Sequence, residues 1–146
     1  MYQVHYLNSI SPKGTALWTE DYQKTDDMSS ADAVLVSHNT VTAMDAEHPA
    51  SLSAEVHRIL RRDLGFEGVI ITDDLIMQAV SECYTPGQAA VLAVRAGNDM
   101  LCSSEYDVQY SALLAALERG EISTEIIDAA ARRVIEWKIS LGIIGG

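Results

Sequence analysis

From Ala31 onward the sequence alternates short apolar runs with segments of helical periodicity, and this pattern constrains the fold more than any other feature. The first run, ADAVLVSH, and the second, Gly68 to Thr72, are continuously apolar, as expected for strands that are buried on both faces. A third run, NDMLCS, follows the next helical segment. Strands that alternate with helices form parallel sheets, so the pattern predicts an α/β fold with three β/α units.

Capping residues and glycines mark the ends of the intervening helices. Ser53 can cap a helix that Gly65 would end in the left-handed conformation. The segment Thr85-Pro86-Gly87-Gln88 predicts a capping box with proline at the first helical position, and Gly97 would end the helix that it opens. Each helix is therefore expected to stop shortly before the next strand.

Two further helices are predicted to close the chain. One runs from about Tyr106 to Arg119, and the other is capped by Ser123 and runs to about Leu141. The apolar residues of the second helix recur at helical spacing, so we expect it to bury Ile126, Ile127, Ala130, Val134 and Ile135.

The first thirty residues follow a different pattern. Alternating residues from Tyr2 to Tyr6, the turn-forming sequence Ser11-Pro12-Lys13-Gly14 and the apolar run Thr15 to Trp18 predict a hairpin. The polar segment Glu20 to Ser30 indicates a linker or at most a short helix. We therefore expect a hairpin and linker segment over residues 1–30 and a single domain over residues 31–146.

Composition and charge exclude several classes of partner. The 21 acidic and 10 basic residues give a formal net charge of −11 without a basic cluster, so neither nucleic acid nor an anionic membrane surface is an expected partner. No stretch approaches the roughly 18 apolar residues of a membrane span, and the N-terminus lacks the pattern of a signal peptide. A soluble chain of undetermined compartment is expected.

Ligands of parallel α/β folds bind beyond the carboxyl ends of the strands. Five polar residues follow the predicted strand ends: His38, Asn39, Asp73, Asp74 and Ser103. Neighbouring strand residues point to opposite sides, so at most one of Asp73 and Asp74 is expected to attack a substrate.

The residue pattern alone leaves the roles of these side chains open. Asp73 can be a nucleophile toward the anomeric carbon of a sugar, a metal ligand or the N-cap of the segment LIMQAV. For Asp74 a structural role is favoured, and His38 can line a site or be a hydrogen-bonded structural histidine. Met77 and Met100 are expected to fill the core.

No motif for a cofactor or a metal is present in the sequence. It contains neither a glycine-rich phosphate loop nor a Ser-His-Asp or Cys-His nucleophile pattern. The acids Asp45 and Glu47 beside His48 match no calcium-binding loop, and Cys83 and Cys102 lack metal-ligand spacing. We expect no cofactor and no metal.

The string GFEGVIITDDLIM, from Gly65 to Met77, resembles the strand and loop that carry the nucleophile in glycoside hydrolase family 3, particularly its β-N-acetylhexosaminidases. Flanking segments are similar in order and spacing: ADAVLVSHN, HPASLS, LRRDLGFEG, AVRAGNDML and ISTEIIDAAARRVIEWKISLGI. The resemblance covers about Ala31 to Ile144. It implies the last three or so units of a (β/α)8 TIM barrel.

The resemblance also implies an activity and a site. Asp73 takes the position of the nucleophile, while His38, Asp74 and Met77 are expected to bind the substrate. The reaction implied is retaining hydrolysis of a β-glycoside, a β-N-acetylglucosaminide in the branch most similar to this chain.

One departure from the family pattern bears on activity. The family's hexosaminidases carry their acid/base histidine in a Lys-His-Phe-Pro-Gly-His-Gly stretch, and no similar stretch occurs here. We therefore expect a barrel fragment that is nearly inactive alone. The open side of such a barrel favours a homo-oligomer. The alternative is a non-catalytic truncated module with a binding or assembly role.

Overall fold

A computed structural model of the chain describes residues 2–4, 12, 16–17, 19–20, 22–24 and 31–145. The chain divides into two units, Met1–Asp32 and Ala33–Gly146. The domain boundary expected between residues 30 and 31 stays a prediction.

In the first unit, strand β1 (Tyr2–Val4) pairs in parallel with strand β2 (Tyr22–Lys24). The predicted hairpin is therefore wrong, since the two strands of a hairpin are antiparallel. Pro12 is helical, and its carbonyl accepts the N–H of Ala16 at 2.9 Å. Alternation predicted strand β1 but not its partner, which lies in the segment interpreted as a linker. Ala16 and Leu17 of the predicted second strand lie in a turn, whereas residues 5–11, 13–15, 18, 21 and 25–30 lie outside the described part of the chain.

The second unit contains a parallel sheet of three strands. Strand β3 (Ala33–Val36) and strand β5 (Met100–Cys102) flank the central strand β4 (Val69–Asp74). The predicted mixed α/β fold with a parallel sheet is thus confirmed.

The helices follow the predicted order. In chain order they are α1 (Ala54–Arg58), which continues as the π-helical turn Ile59–Asp63, the short α2 (Gln78–Ser81), α3 (Pro86–Ala96), α4 (Tyr106–Glu118) and α5 (Thr124–Ser140). The hydroxyl of Ser53 accepts the N–H of Val56 at 3.3 Å, and Thr85 and Gln88 form the predicted capping box. Gly65 and Gly97 adopt positive φ angles of 65° and 114°, so the predicted helix ends are confirmed. None of the helices in the described part of the chain is long and apolar enough to span a membrane.

Helices cover one face of the sheet. Val36 and Ile70 are buried there, and Val56 and Leu60 of the α1 segment pack against them. On the other face Leu35 is 64% exposed. The pairing register aligns Leu35 with Ile71 and Ile71 with Met100. The expected burial on both faces is confirmed at the start of β4, where Val69 and Ile70 are 1% and 0% exposed, but it is wrong at Leu35 of β3. We call the side of Leu35, Ile71 and Met100 the open face.

Helix α5 has the predicted bounds but not the predicted burial. None of its residues is buried, and Ile126, Ile127 and Ile135 are 38%, 37% and 49% exposed. Ala130 and Val134 are half-buried. Helical periodicity predicts which side of a helix is apolar, but it does not predict that a partner covers that side.

A buried carboxylate ties α5 to the start of the central strand. The side chain of Asp99 is 1% exposed and accepts hydrogen bonds from Arg61 at 2.5 Å, Arg133 at 2.9 Å and the N–H of Ile70 at 2.8 Å. Burial lowers the pKa of Arg61, and the negative charge of Asp99 opposes that shift. These contacts lie at the amino end of β4, opposite to the end that carries Asp73 and Asp74.

Candidate active site

The central strand carries its two aspartates at its carboxyl end. Strand β4 continues through Asp74, two residues beyond the predicted end at Thr72. Ile71 pairs with Met100 and Asp74 with Cys102, so β4 holds one more residue than β5 across this interval. Such a bulge bends a strand and redirects its side chains, as is common beside active sites.

Thr72 completes the hydrogen bonding at this bulge. Its side chain is fully buried, and its hydroxyl accepts the N–H of Cys102 at 3.0 Å. A side chain thus replaces a backbone carbonyl of the sheet, which satisfies a donor that the bulge would leave without a partner.

Asp73 is half-buried at the carboxyl end of β4, within the bulged interval between Ile71 and Asp74. Its Oδ1 accepts the N–H of Asp74 at 2.8 Å, and among the described residues Oδ2 accepts no hydrogen bond. Helix α2 begins at Gln78 and takes Met77 as its N-cap, so Asp73 does not cap LIMQAV. One carboxylate oxygen of Asp73 is therefore free to meet a ligand.

The carboxylate of Asp74 is engaged on both oxygens. Oδ2 accepts a short hydrogen bond from the hydroxyl of Ser104, and Oδ1 accepts the N–H of Ile76 at 3.2 Å. The bond from Ser104 is the main reason why the pKa of Asp74 lies below its ordinary value. These bonds fit the structural role that the residue pattern favoured.

His38 connects the end of β3 to the end of β4. It is buried, its Nε2 lies 2.9 Å from the carbonyl oxygen of Asp74, and its Nδ1 lies 2.6 Å from the hydroxyl of Ser51. A carbonyl can only accept, so Nε2 carries a proton and donates it. In the neutral ring Nδ1 then accepts from Ser51. Both ring nitrogens of His38 are therefore bonded to protein.

Met77 lies in the turn that follows the aspartates. Its N–H donates to the carbonyl of Asp74 at 3.0 Å, and its side chain is 45% exposed. The expectation that Met77 fills the core is therefore wrong. Substrate binding by His38, Asp74 and Met77 stays a prediction.

Two other residues at the strand ends differ in environment. The amide of Asn39 is exposed and donates to the hydroxyl of Ser37 at 3.0 Å. The hydroxyl of Ser103 is buried and has no partner among the described residues. Among the described residues, neither of them forms a hydrogen bond with Asp73.

In the acidic loop after β3, the side chain of Asp45 accepts hydrogen bonds from backbone groups of the same loop. Oδ1 of Asp45 accepts the N–H groups of Glu47 at 2.9 Å and His48 at 3.1 Å. A hydrogen bond with Ser53 is the main cause that lowers the pKa of Asp45 to about 2. In the described part of the chain, no three side chains of the metal-binding types come together.

Sequence reasoning missed the residues that hold the candidate site residues in place. Ser51 and Ser104 bond to His38 and Asp74 across 13 and 30 positions of the chain. Ser104 stands next to Ser103 at the end of a predicted strand. This position was the one feature of the sequence that could have indicated a role for Ser104 at the site. Nothing local to Ser51 or Thr72 indicates their partners.

Comparison with known proteins identifies a family and several relatives. A family model described as "Glycosyl hydrolase family 3 N terminal domain" matches residues 19–137. An uncharacterized secreted glycosyl hydrolase of Arthroderma benhamiae is 31% identical over 109 residues, which are 70% of this chain and 31% of the relative. A β-N-acetylglucosaminidase/β-glucosidase of Cellulomonas fimi is 31% identical over 100 residues, which are 67% of this chain and 18% of the relative.

A solved structure of a family 3 protein is also similar to this chain. The family 3 β-N-acetylglucosaminidase of a Paenibacillus species superposes with a TM-score of 0.69 at 40% identity, over 80% of this chain and 23% of that protein. The chain thus spans less than a third of the length of these three proteins.

Proposed function

Because the chain belongs to glycosyl hydrolase family 3, we propose that it is the part of a retaining β-glycosidase that carries the nucleophile, Asp73. In this reaction one oxygen of the carboxylate attacks the anomeric carbon, the aglycone leaves with the bonding electron pair, and water later hydrolyses the glycosyl ester. The observation that carries the proposal is the position of Asp73. It lies at the carboxyl end of the central parallel strand, with Oδ2 free of hydrogen bonds among the described residues.

The fold part of the proposal is a partial (β/α)8 barrel. Three parallel strands carry helices on one face, and on the opposite face Leu35 is 64% exposed. In a complete barrel the inward face is packed with branched apolar side chains, and catalytic groups lie at the carboxyl ends of the strands. Residues 31–146 would form this partial barrel domain and residues 1–30 a separate segment.

The substrate class proposed is a β-N-acetylglucosaminide. Two of the relatives, from Cellulomonas fimi and a Paenibacillus species, are described as β-N-acetylglucosaminidases. The segment TDDLIM, which resembles that branch of the family, supports the same choice over a β-glucoside.

We expect these 146 residues to turn over slowly by themselves. They contain no Lys-His-Phe-Pro-Gly-His-Gly stretch, and both ring nitrogens of His38 are bonded to protein. Without a group that protonates the leaving oxygen and then activates water, a factor on the order of 100 to 10,000 in rate is lost.

An activated substrate separates nucleophilic attack from this missing step. The leaving group of 2,4-dinitrophenyl N-acetyl-β-glucosaminide departs as a stable anion and needs no proton, so attack by Asp73 can proceed. Because no base then activates water, we expect the glycosyl ester to accumulate on the peptide that contains Asp73, measured by mass spectrometry.

Two variants test the assignment. Asp73→Asn is expected to abolish labelling, whereas Asp128→Asn, an exposed aspartate on α5, is expected to leave it unchanged. Labelling that survives Asp73→Asn, or that maps to another carboxylate, would remove Asp73 as the nucleophile.

The second candidate function is a non-catalytic module with a binding or assembly role, favoured by the absence of the acid/base stretch. Calorimetry with N-acetylglucosamine distinguishes it from the first. Binding without any labelling of Asp73 would support the module.

As the partner of the open face we propose a second copy of this chain. Strands β3 and β5 each pair on one side only within the described residues, and the exposed Leu35 lies on one of these edge strands, β3. Unpaired strand edges beside an apolar surface favour association, so a homo-oligomer would cover both.

A further inference from the structure

The residue after the proposed nucleophile is held by protein on every polar group. The N–H of Asp74 donates to Oδ1 of Asp73, and its carbonyl accepts from His38 and from the N–H of Met77. Its carboxylate accepts from Ser104 and from the N–H of Ile76. Every polar group of Asp74 thus has a partner within the protein.

His38 is committed to the protein in the same way. Its Nε2 proton goes to the carbonyl of Asp74 at 2.9 Å, and its Nδ1 faces the hydroxyl of Ser51 at 2.6 Å. The carbonyl of Asp74 fixes the tautomer, because it can only accept; the Ser51 hydroxyl then donates to Nδ1 of the neutral ring and holds its orientation. Ser51 is itself fully buried, and its carbonyl accepts from the side chain of Asn98 at 2.7 Å.

These bonds form one connected path that ends on the proposed nucleophile. It runs from the Ser51 hydroxyl through the ring of His38 to the carbonyl of Asp74. From the N–H of Asp74 it continues to Oδ1 of Asp73. A shift of the Asp74 backbone would therefore move the donor that orients the Asp73 carboxylate.

We propose that His38, oriented by Ser51, is a positioning residue that holds the Asp73 carboxylate in its attacking orientation through the backbone of Asp74. This inference rests on the proposed function of Asp73 and deepens it. It assigns His38 and Asp74 a role that requires no contact with the sugar. Misplacement of a reacting group by about 1 Å can cost on the order of 100-fold in rate, so the loss of this hold is expected to be large.

The test uses the activated glycoside and three variants of the full chain. His38→Leu removes both hydrogen bonds, and we expect the rate of Asp73 labelling at saturating glycoside to fall on the order of 100-fold. In His38→Gln the side-chain amide can still donate to the carbonyl of Asp74, so most of the rate should return. His57→Leu is the matched control, because His57 is also buried but bonds to the carbonyl of Ser53 in its own segment.

A second measurement does not depend on any reaction. Amide hydrogen exchange at Asp74 reports the bond from its N–H to Asp73, and we expect His38→Leu to speed this exchange relative to the rest of β4. His38→Gln should restore protection, and His57→Leu should leave the ratio unchanged. Equal protection at Asp74 in His38→Leu and in the parent chain would overturn the proposal.

Labelling and hydrogen exchange together distinguish a failure of Asp73 as nucleophile from a failure of His38 as positioning residue. If the parent chain never labels Asp73, the proposed nucleophile fails, while exchange at Asp74 still decides whether His38 holds this segment. If His38→Leu labels Asp73 at the parental rate, the positioning role is wrong. A loss of glycoside affinity without a loss of rate at saturation would instead show that His38 binds the sugar, and would also overturn it.

Discussion

Two adjacent aspartates at the end of β4 have different surroundings. Asp73 uses one carboxylate oxygen to accept a single backbone N–H, whereas both oxygens of Asp74 are engaged. The sequence predicted that only one of them would face a substrate, because adjacent residues of a strand point to opposite sides. It could not predict how Asp74 is held, since Ser104 lies 30 positions away.

The hydroxyl of Ser104 gives Asp74 a testable pH dependence. A folded-state pKa below the unfolded one means that the carboxylate stabilises the fold above the ordinary pKa of 3.8, and that this contribution is lost as the pH falls through the lower folded pKa. Ser104→Ala should raise the pKa of Asp74 toward 3.8 and move acid unfolding to higher pH. Carbon NMR of the Asp74 carboxyl group and circular dichroism from about pH 6 to about pH 2 measure the two effects.

The neighbouring serine provides the control for this experiment. The hydroxyl of Ser103 has no partner among the described residues, so Ser103→Ala is expected to leave the pKa of Asp74 unchanged. An equal shift in both variants would mean that the Ser104 bond does not set the acidity of Asp74.

At the scale of elements, features that depend on neighbouring residues were predicted correctly. Features that depend on residues far along the chain were not. Ser53, Thr85 and Gly97 mark helix ends through bonds and backbone angles within a few residues, and the structure contains each of them. The burial of α5 and the pairing of β1 depend on partners far along the chain. Periodicity carries no information about such partners, so both of these predictions were wrong.

The contact between α3 and α4 provides a prediction at this scale. A Cβ placed on Gly87 would lie 2.8 Å from the Cβ of Ala112, which is closer than two carbons can pack. Gly87→Ala is therefore expected to destabilise the fold by about 1–3 kcal/mol through overpacking. Urea denaturation measures the change in the free energy of unfolding.

A second substitution tests the cause. Ala112→Gly removes the opposing methyl group, so Gly87→Ala should cost less when it is made in the Ala112→Gly chain. Equal costs in both backgrounds would show that the two positions do not interact, and the close approach of the helices would then be wrong.

At the scale of the whole molecule, the proposed homo-oligomer follows from the open face and the free strand edges. Sedimentation equilibrium is expected to show association that increases with protein concentration. Leu35→Lys places a charge on that face at the free edge strand β3 and should shift the equilibrium toward monomer. Leu64→Lys is the matched control, because Leu64 is similarly exposed, at 66% against 64%, but precedes β4. Monomer alone at high concentration, or equal effects of the two lysines, would contradict the proposal.

The bonds around Asp74 also limit how this chain can be recombined with related ones. The side chains that hold Asp74 come from two places, His38 with Ser51 on one side of β4 and Ser104 on the other. A chimaera whose junction falls between Leu52 and Val69 takes histidine and aspartate from different parents, whereas an exchange of residues 33–104 as a block inherits them together. Crossover points outside residues 33–104 therefore keep all the hydrogen bonds that hold Asp74 in place.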